Sequence, residues 1–401
     1  MFILLDGGLD IYINQDDKPV KINEIHQGEV IGEMALIQES TRSATVTARR
    51  RSILLELSKE SFGRLISTHP SLSQGLSVLL AQRLQAANKS ENRNHKTDRI
   101  IHLRSFVNDH TAGFWAELVK QYWKGRKKIN ALEINEIGPD TFKKLCELEA
   151  SSDQVLIYSN TLETQEELNE FADKTIFVLG NEANPGILSE QIDRSSPFGA
   201  KDQLLLVHSN GGEPACGPWL EYFESRDIFK IQEGNQAHLD RACRAITGDL
   251  ICLVLGGGGA HGLSIVGVLK ALNELRVPVD VIGGTSIGSI LTAAIANDWD
   301  FSYIEKNVKA DISQNNPLTD YTLPLVALLK GRKLRKVLNK HFNQDIANTW
   351  KNCFLVAANL SRSETENMQS GPLNLALLSI IFIPGILTPT LFKKSLMVDG
   401  G

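Results

Sequence analysis

A serine lies at the centre of a short segment, Gly284-Thr285-Ser286-Ile287-Gly288, that fits the pattern GxSxG. A strand-like apolar run precedes the segment and a helix-like run follows it, which is the context in which this pattern forms a nucleophile elbow. The flanking glycines, Gly284 and Gly288, leave room for a strained turn that raises the serine hydroxyl above a sheet. We therefore predict that Ser286 is a nucleophile and not part of an ordinary Gly-Ser turn.

A glycine run, Gly256 to Gly259, also follows a strand-like segment and opens a helix-like one. Unpaired N–H groups at such a helix start can bind an oxyanion. The same letters satisfy the dinucleotide fingerprint G-x-G-x-x-G, which is the main competing interpretation. That site needs an acidic residue at the end of the second strand, whereas Asp280 precedes or opens this strand and Ser286 follows it. The oxyanion interpretation is therefore favoured.

An activated serine needs a base, and histidine is the usual one. Downstream of Ser286 the only histidine is His341, inside the helix-like segment "VLNKHFNQ". Asp399 lies in "LMVDGG", after a strand-like run and before two glycines that allow a tight turn. A carboxylate in an apolar pocket can remove the serine proton directly. Asp399 is therefore the main candidate for the base.

The segments "LGGGGAHG", "GGTSIG" and "VDGG" together resemble the patatin-like phospholipases, and most closely their neuropathy target esterase group. The resemblance implies a Ser–Asp dyad without histidine, with Ser286 as nucleophile and Asp399 as base. It also implies that the N–H groups of Gly257, Gly258 and Gly259 form the oxyanion hole. The family usually has arginine where His261 stands; because main-chain groups stabilise the oxyanion, we expect this change to tune the site and not to abolish it.

The N-terminal segment "GEVIGEMALIQESTRSATVTA" resembles the phosphate-binding cassette of cyclic nucleotide-binding domains. A carboxylate suits a ribose hydroxyl and an arginine suits a phosphate. The resemblance assigns Gly32, Glu33, Arg42 and Ser43 to a nucleotide site that regulates the enzyme. The alternative is a fold that persists without a ligand, in which Glu33 and Arg42 pair with each other.

At 401 residues the chain is too long for one core, so we expect several domains. Short alternating strands followed by helices predict a cyclic nucleotide-binding-like β-roll over residues 1–95. Alternating strands and helices predict a middle α/β domain over 96–245 and a patatin-like α/β domain with a mostly parallel sheet over 246–401. Relative to the family, the first and last domains are expected to be incomplete at their outer ends.

Bulk properties exclude several classes of protein. A net charge of −5 gives no reason to expect nucleic-acid binding, and the run Arg49 to Arg51 is expected to be a solvated loop. Five cysteines without metal-ligand spacing predict free thiols, and the N-terminus does not resemble a signal peptide, so a cytoplasmic protein is expected. The uncharged run Leu373 to Phe392 contains two prolines and a glycine, which favours a buried core or an acyl-chain pocket over a membrane span, with an interfacial surface as the second interpretation.

These features together predict a serine hydrolase that cleaves carboxylic esters of phospholipids or lysophospholipids, in peripheral contact with a membrane. No metal or other cofactor is required, and a cyclic nucleotide is the candidate regulator. The alternative from another class is a non-catalytic nucleotide sensor or scaffold with a truncated hydrolase domain. A dinucleotide-dependent enzyme is the third hypothesis.

Overall fold

The structure is a computed structural model, and it describes residues 1–15, 18–32, 44–68, 98–105, 112–159, 164, 167–183, 185, 202–209, 212–258, 262, 264–313, 319–322, 327–383, 385–387 and 390–400. The chain divides into two compact units, Met1–Leu103 with Trp123–Thr175, and Arg104–Tyr122 with Ile176–Gly401. This division passes through the region predicted as the middle domain. The three domain boundaries proposed from the sequence stay a prediction.

The N-terminal elements are β1 (Phe2–Asp6), β2 (Leu9–Gln15), β3 (Lys18–Ile25), β4 (Val30–Ile31), β5 (Thr45–Ala48), β6 (Ile53–Glu56) and α1 (Lys59–Thr68). They form two small antiparallel sheets with strand orders β4-β1-β6 and β3-β2-β5. Leu4, Leu9 and Ile25 fill the space that the strands enclose. The predicted β-roll followed by a helix is confirmed; the predicted helix beyond Thr68 lies outside the described residues.

The middle elements are β7 (Ile100–Ser105), α2 (Ala112–Trp123), β8 (Ile129–Glu133), α3 (Pro139–Ser151), β9 (Gln154–Tyr158), β10 (Lys174–Gly180), β11 (Gln203–His208), β12 (Ile228–Gln232) and α4 (Gln236–Thr247). In the first unit, β9 pairs in parallel with β7 and with β8. In the second unit, β11 pairs in parallel with β10 and with β12. Strands β9 to β12 are almost fully buried, as their continuous apolar runs predict.

The arginine run contradicts one sequence-based expectation. The side chains of Arg49 and Arg50 are each only 4% exposed, so this is not a solvated loop. Both pair with Asp173, which has a fully buried side chain, and Arg50 also donates two hydrogen bonds to Glu149. Burial of a guanidinium is tolerated here because carboxylates compensate its charge. Arg51 is exposed, as expected.

The C-terminal elements are β13 (Cys252–Leu255), α5 (Ser264–Glu274), β14 (Val281–Gly284), α6 (Ile287–Ala296), α7 (Phe301–Ser313), α8 (Arg332–His341), β15 (Asn352–Asn359), β16 (Glu364–Met368), α9 (Leu373–Ile380), β17 (Leu391–Phe392) and β18 (Ser395–Asp399). Their sheet has the order β13-β14-β15-β18-β17. The pairs β13–β14 and β14–β15 are parallel, and β18 is antiparallel to β15. The predicted alternation of strands and helices around a mostly parallel sheet is therefore confirmed, and the loops after β13 and β14 both lie at the carboxyl edge of the sheet.

The uncharged run from Leu373 to Phe392 divides into three parts. Helix α9 is buried in the core of this sheet, Ile383 and Ile386 in the following loop are exposed, and Phe392 is buried again. Helix α9 has eight residues. Within the described ranges, no helix is long and apolar enough to cross a membrane.

Candidate active site

Ser286 lies in the sharp turn between β14 and α6. Its backbone has φ 52° and ψ −132°, a conformation that is rare for a residue with a side chain and therefore strained. A Cβ atom at Gly284 would lie 2.8 Å from the backbone of Gly288, and a Cβ atom at Gly288 would lie 2.5 Å from the Gly256 carbonyl oxygen. The two glycines that flank the serine are therefore required by close backbone approach.

Asp399 faces Ser286 from the end of β18. The Ser286 hydroxyl donates a hydrogen bond of 2.6 Å to Asp399 Oδ2, and Ser286 is 8% exposed. The Asp399 N–H donates to the Phe382 carbonyl oxygen at 3.0 Å, which fixes the backbone that carries the carboxylate. The structure thus brings together the two side chains that the sequence proposes as nucleophile and base.

Strand register explains why these two side chains meet. In the parallel pair β14–β15, Gly284 lies opposite Leu355. Beyond this pair, the Thr285 hydroxyl donates to the Val356 carbonyl oxygen of β15, and the next residue of β15, Ala357, lies opposite Asp399 in the β15–β18 pair. The turn that carries Ser286 and the residue Asp399 therefore lie beside neighbouring positions of β15, on either side of it.

The glycine loop passes directly beside the serine. A Cβ atom at Gly257 would lie 3.0 Å from Ser286 Cβ and 3.7 Å from Ser286 Oγ. Gly258 has φ 141°, a backbone conformation that L side chains rarely adopt. Gly257 and Gly258 are exposed, so their backbone is accessible to a substrate, whereas Gly259 lies outside the described residues.

Thr285 is a contributor that the sequence pattern does not single out, because it occupies a variable position of GxSxG. Its hydroxyl donates to the Val356 carbonyl oxygen at 3.0 Å, and its N–H donates to the Leu255 carbonyl oxygen at 3.2 Å. Thr285 therefore ties the turn that carries Ser286 to both neighbouring strands. A Cβ atom at Gly400 would lie 3.1 Å from the Thr285 hydroxyl, which accounts for a glycine directly after Asp399.

Asp280 lies at the start of β14, at the opposite end of the strand from the glycine loop. It is 2% exposed and accepts two hydrogen bonds from Arg244 at 2.8 and 2.7 Å. Burial alone lowers the pKa of Arg244, but the hydrogen bonds and the charge of Asp280 raise it overall. The Ile251 N–H also donates to Asp280. Asp280 therefore anchors the sheet, and its position does not suit the ribose contact of a dinucleotide site.

Two buried histidines contact Trp350, just before β15. Burial, with the charges of Arg241 and Lys351, lowers the pKa of His238 to about 3. His238 Nδ1 accepts from the Gln232 N–H, so its proton is on Nε2, which lies 2.7 Å from Asp298 Oδ2. His208 is fully buried, and within the described part of the chain its ring nitrogens have no hydrogen-bond partner. Both histidines are structural in this geometry.

The predicted nucleotide site is described only in part. Gly32 follows β4 and has φ 74°, a conformation that favours glycine. Glu33, Arg42 and Ser43 lie outside the described residues. His341 is the last residue of the predicted amphipathic helix, where its ring contacts Trp299 at 5.7 Å between centroids.

The site combines three parts of an acyl-transfer centre. A strained turn presents a hydroxyl, a carboxylate accepts the hydrogen of that hydroxyl, and glycine backbone lies beside it. A hydroxyl that is already hydrogen-bonded to a base can become a nucleophile when a carbonyl carbon approaches it.

Comparison with known proteins identifies domains at both ends of the chain. Residues 253–401 match the patatin-like phospholipase family, and residues 1–69 match the cyclic nucleotide-binding domain. The lysophospholipase nte1 of Neosartorya fischeri is 26% identical over 498 residues, which cover 100% of this chain and 33% of that protein. The lysophospholipase nte1 of Neurospora crassa is 22% identical over 496 residues, with the same coverage of each chain.

The chain spans about a third of the length of the curated relatives that it matches. Among solved structures, the catabolite activator protein of Thermus thermophilus is 21% identical and covers 38% of this chain and 63% of its own. Its TM-score is 0.22. The domain matches at both ends agree with the fold predicted from the sequence.

Proposed function

We propose that this chain, which carries a patatin-like phospholipase domain behind a cyclic nucleotide-binding domain, hydrolyses carboxylic esters of phospholipids or lysophospholipids. Ser286 is the nucleophile and Asp399 the base. The observation that carries the proposal is the 2.6 Å hydrogen bond from the Ser286 hydroxyl, held at φ 52°, to Asp399 Oδ2. The names of the matching relatives, lysophospholipases, supply the substrate class.

The acylation half follows from this arrangement. Ser286 Oγ attacks the ester carbonyl carbon while Asp399 takes the hydroxyl proton. The carbonyl oxygen becomes an oxyanion, which the backbone N–H groups of Gly257, Gly258 and Gly259 stabilise. The tetrahedral intermediate then expels the alcohol portion of the lipid, which takes the proton from Asp399, and the acyl group stays on Ser286.

The deacylation half repeats the same roles with water. Asp399 removes a proton from a water molecule, which attacks the acyl-enzyme carbonyl. Collapse of the second intermediate breaks the bond to Ser286 Oγ, which recovers its proton, and the fatty acid leaves. Because one carboxylate serves both halves, loss of Asp399 is expected to slow acylation and deacylation alike.

Two further parts of the proposal concern the surroundings of the reaction. The enzyme works in peripheral contact with a membrane, since its substrates reside there. The N-terminal domain regulates it through a cyclic nucleotide held by Gly32, Glu33, Arg42 and Ser43. Titration of cyclic AMP and cyclic GMP into the parent chain and into Arg42→Ala, followed by the heat of binding or by fluorescence, tests the nucleotide site separately from catalysis.

Hydrolysis of lysophosphatidylcholine by the purified chain tests the central claim. Ser286→Ala and Asp399→Asn are compared with Ser302→Ala and Asp300→Asn, an exposed serine and aspartate that hydrogen-bond each other at 2.6 Å. Both dyad variants should lose activity by about 10³-fold or more, since members of a catalytic unit fail together. The Ser302 and Asp300 variants should keep the parent rate.

Labelling with a fluorophosphonate separates the remaining outcomes. A folded parent chain that neither hydrolyses the lipid nor labels at Ser286 would refute the proposal and favour the scaffold alternative. Labelling without lipid hydrolysis would keep the serine activation but refute the substrate class. Full activity of Asp399→Asn would refute the dyad.

A further inference from the structure

Helix α8 is strongly basic, although the chain as a whole is acidic. The segment "KGRKLRKVLNKH", residues 330 to 341, contains no acidic residue, in a chain of net charge −5. Six basic side chains of this segment are exposed: Lys330, Arg332, Lys333, Arg335, Lys336 and Lys340. Leu334 and Leu338 are buried and hold the helix on the domain. We call the six exposed side chains the basic face.

An exposed apolar patch directly precedes this helix. Leu329 pairs with Leu387 in a parallel bridge, and both are buried. Their preceding neighbours, Leu328 and Ile386, lie on the opposite side of this pairing and are 49% and 38% exposed. Ile383, 43% exposed, is joined to Ile386 by a turn hydrogen bond of 3.0 Å. Leu328, Ile383 and Ile386 are the apolar patch.

One residue of the apolar patch directly follows, in the sequence, the residue that holds the backbone of Asp399. Ile383 follows Phe382, whose carbonyl oxygen accepts the hydrogen bond from the Asp399 N–H at 3.0 Å. The basic face starts at Lys330, two residues after Leu328. The chain order therefore connects the aspartate of the dyad, three exposed apolar side chains and six exposed positive charges within one domain.

We propose that the basic face and the apolar patch form one docking surface for an anionic phospholipid bilayer. Clustered Lys and Arg side chains are attracted to anionic headgroups, and adjacent exposed aliphatic side chains enter the boundary between headgroups and acyl chains. A site for a soluble polyanion would need only the basic face, so the adjacent apolar patch favours a bilayer as the partner. The inference rests on the proposed function, because docking here places the dyad next to lipid esters.

Vesicle sedimentation tests the docking surface without turnover. The chain with Ser286→Ala is mixed with phosphatidylcholine vesicles that contain or lack phosphatidylserine. We expect binding only to the anionic vesicles. Reversal of Lys333, Lys336 and Lys340 to Glu, three residues on one side of α8, should weaken it by at least about a hundredfold, since loss of the three lysine charges alone costs about fivefold each near the surface. Reversal of the exposed Lys124, Lys143 and Lys144 changes net charge equally and should have little effect.

Two further measurements complete the test. Leu328→Ser with Ile386→Ser should weaken vesicle binding but leave binding to heparin unchanged. If vesicle binding is unaffected, the surface binds polyanions by charge alone and the proposal is overturned; equal losses from the two triple reversals overturn it too. Hydrolysis of a water-soluble butyrate ester by the otherwise unaltered chain reports separately on catalysis, so failure of docking and failure of the proposed function are distinguishable.

Discussion

Replacement of Gly288 by alanine is the most informative perturbation of the candidate site. The added Cβ atom would lie 2.5 Å from the Gly256 carbonyl oxygen and 2.7 Å from the Leu255 carbonyl oxygen. Ordinary contact begins at 3.4 Å, so either α6 or the glycine loop must move by about 0.9 Å, the difference between 3.4 and 2.5 Å. Both contacts are to backbone, so no side chain can rotate away to relieve them.

This displacement separates the glycine loop from Ser286. A misplacement of about 1 Å costs on the order of 10²-fold in rate, and overpacking costs about 1 to 3 kcal/mol of stability. Gly288→Ala should therefore lower kcat on a water-soluble butyrate ester about 100-fold with little change in KM. Steady-state kinetics, with urea unfolding of the same samples, measures both quantities.

Gly267→Ala is the matched control. Gly267 is exposed in α5, and a Cβ atom there would meet no atom within 4 Å. The change should keep the parent kcat and raise stability by about 0.5 to 1 kcal/mol, because alanine is the better helix former. Parental kcat in Gly288→Ala, or an equal loss in both variants, would refute the reasoning from backbone contact.

Two further predictions concern the packing behind the site. Burial lowers the pKa of His208 from 6.5 to about 4, and the charges of Lys230 and His238 add to this effect. Between these two pH values the unfolded chain therefore binds a proton at His208 and the folded chain does not. The free energy of unfolding should therefore fall as pH drops through this window, by about 1 kcal/mol at pH 5 after allowance for screening. His208→Phe should remove this contribution to the loss. Urea unfolding at pH 7 and pH 5 measures it. Asp280→Asn leaves the buried Arg244 guanidinium without its anion, so it should lower the free energy of unfolding in urea by about 3 kcal/mol. Glu224→Gln, at an exposed ion pair, is the control and should lower it by less than about 1 kcal/mol. Equal losses from the Asp280 and Glu224 changes would contradict the importance of burial.

The proposed catalytic residues could be predicted because their chemistry leaves a local signature. Gly284 and Gly288 each lie two residues from Ser286, so the pattern GxSxG contains them, although the contacts that require Gly288 are with the backbone of Leu255 and Gly256. Asp399 is 113 residues away from Ser286, and no local pattern joins the two. Residue types alone left that pairing open, and only the resemblance to a family made it specific.

The arginine run shows why other features could not be predicted. Arg50 pairs with Asp173, 123 residues away, and with Glu149, 99 residues away. A charge run is ordinarily solvated, and its local sequence contains no sign of distant carboxylates. Thr285 is similar, because its role depends on the Val356 carbonyl oxygen, 71 residues further along the chain. Long-range partners decide both cases.

The meeting of Ser286 and Asp399 depends on β15 as much as on the two residues themselves. Neighbouring strands lie about 4.8 Å apart, so β14 and β18 are separated by about 10 Å across β15, and two side chains must close this gap. A slip of one residue in either pairing would move Asp399 by about 3.3 Å and turn its side chain to the other face of the sheet. The buried Lys230 ammonium, which donates to the Ala347 carbonyl oxygen and to Asn352 Oδ1 at 2.9 and 3.0 Å, fixes the start of β15. The precision of the proposed dyad therefore depends on polar contacts at the far end of the strand between its two members.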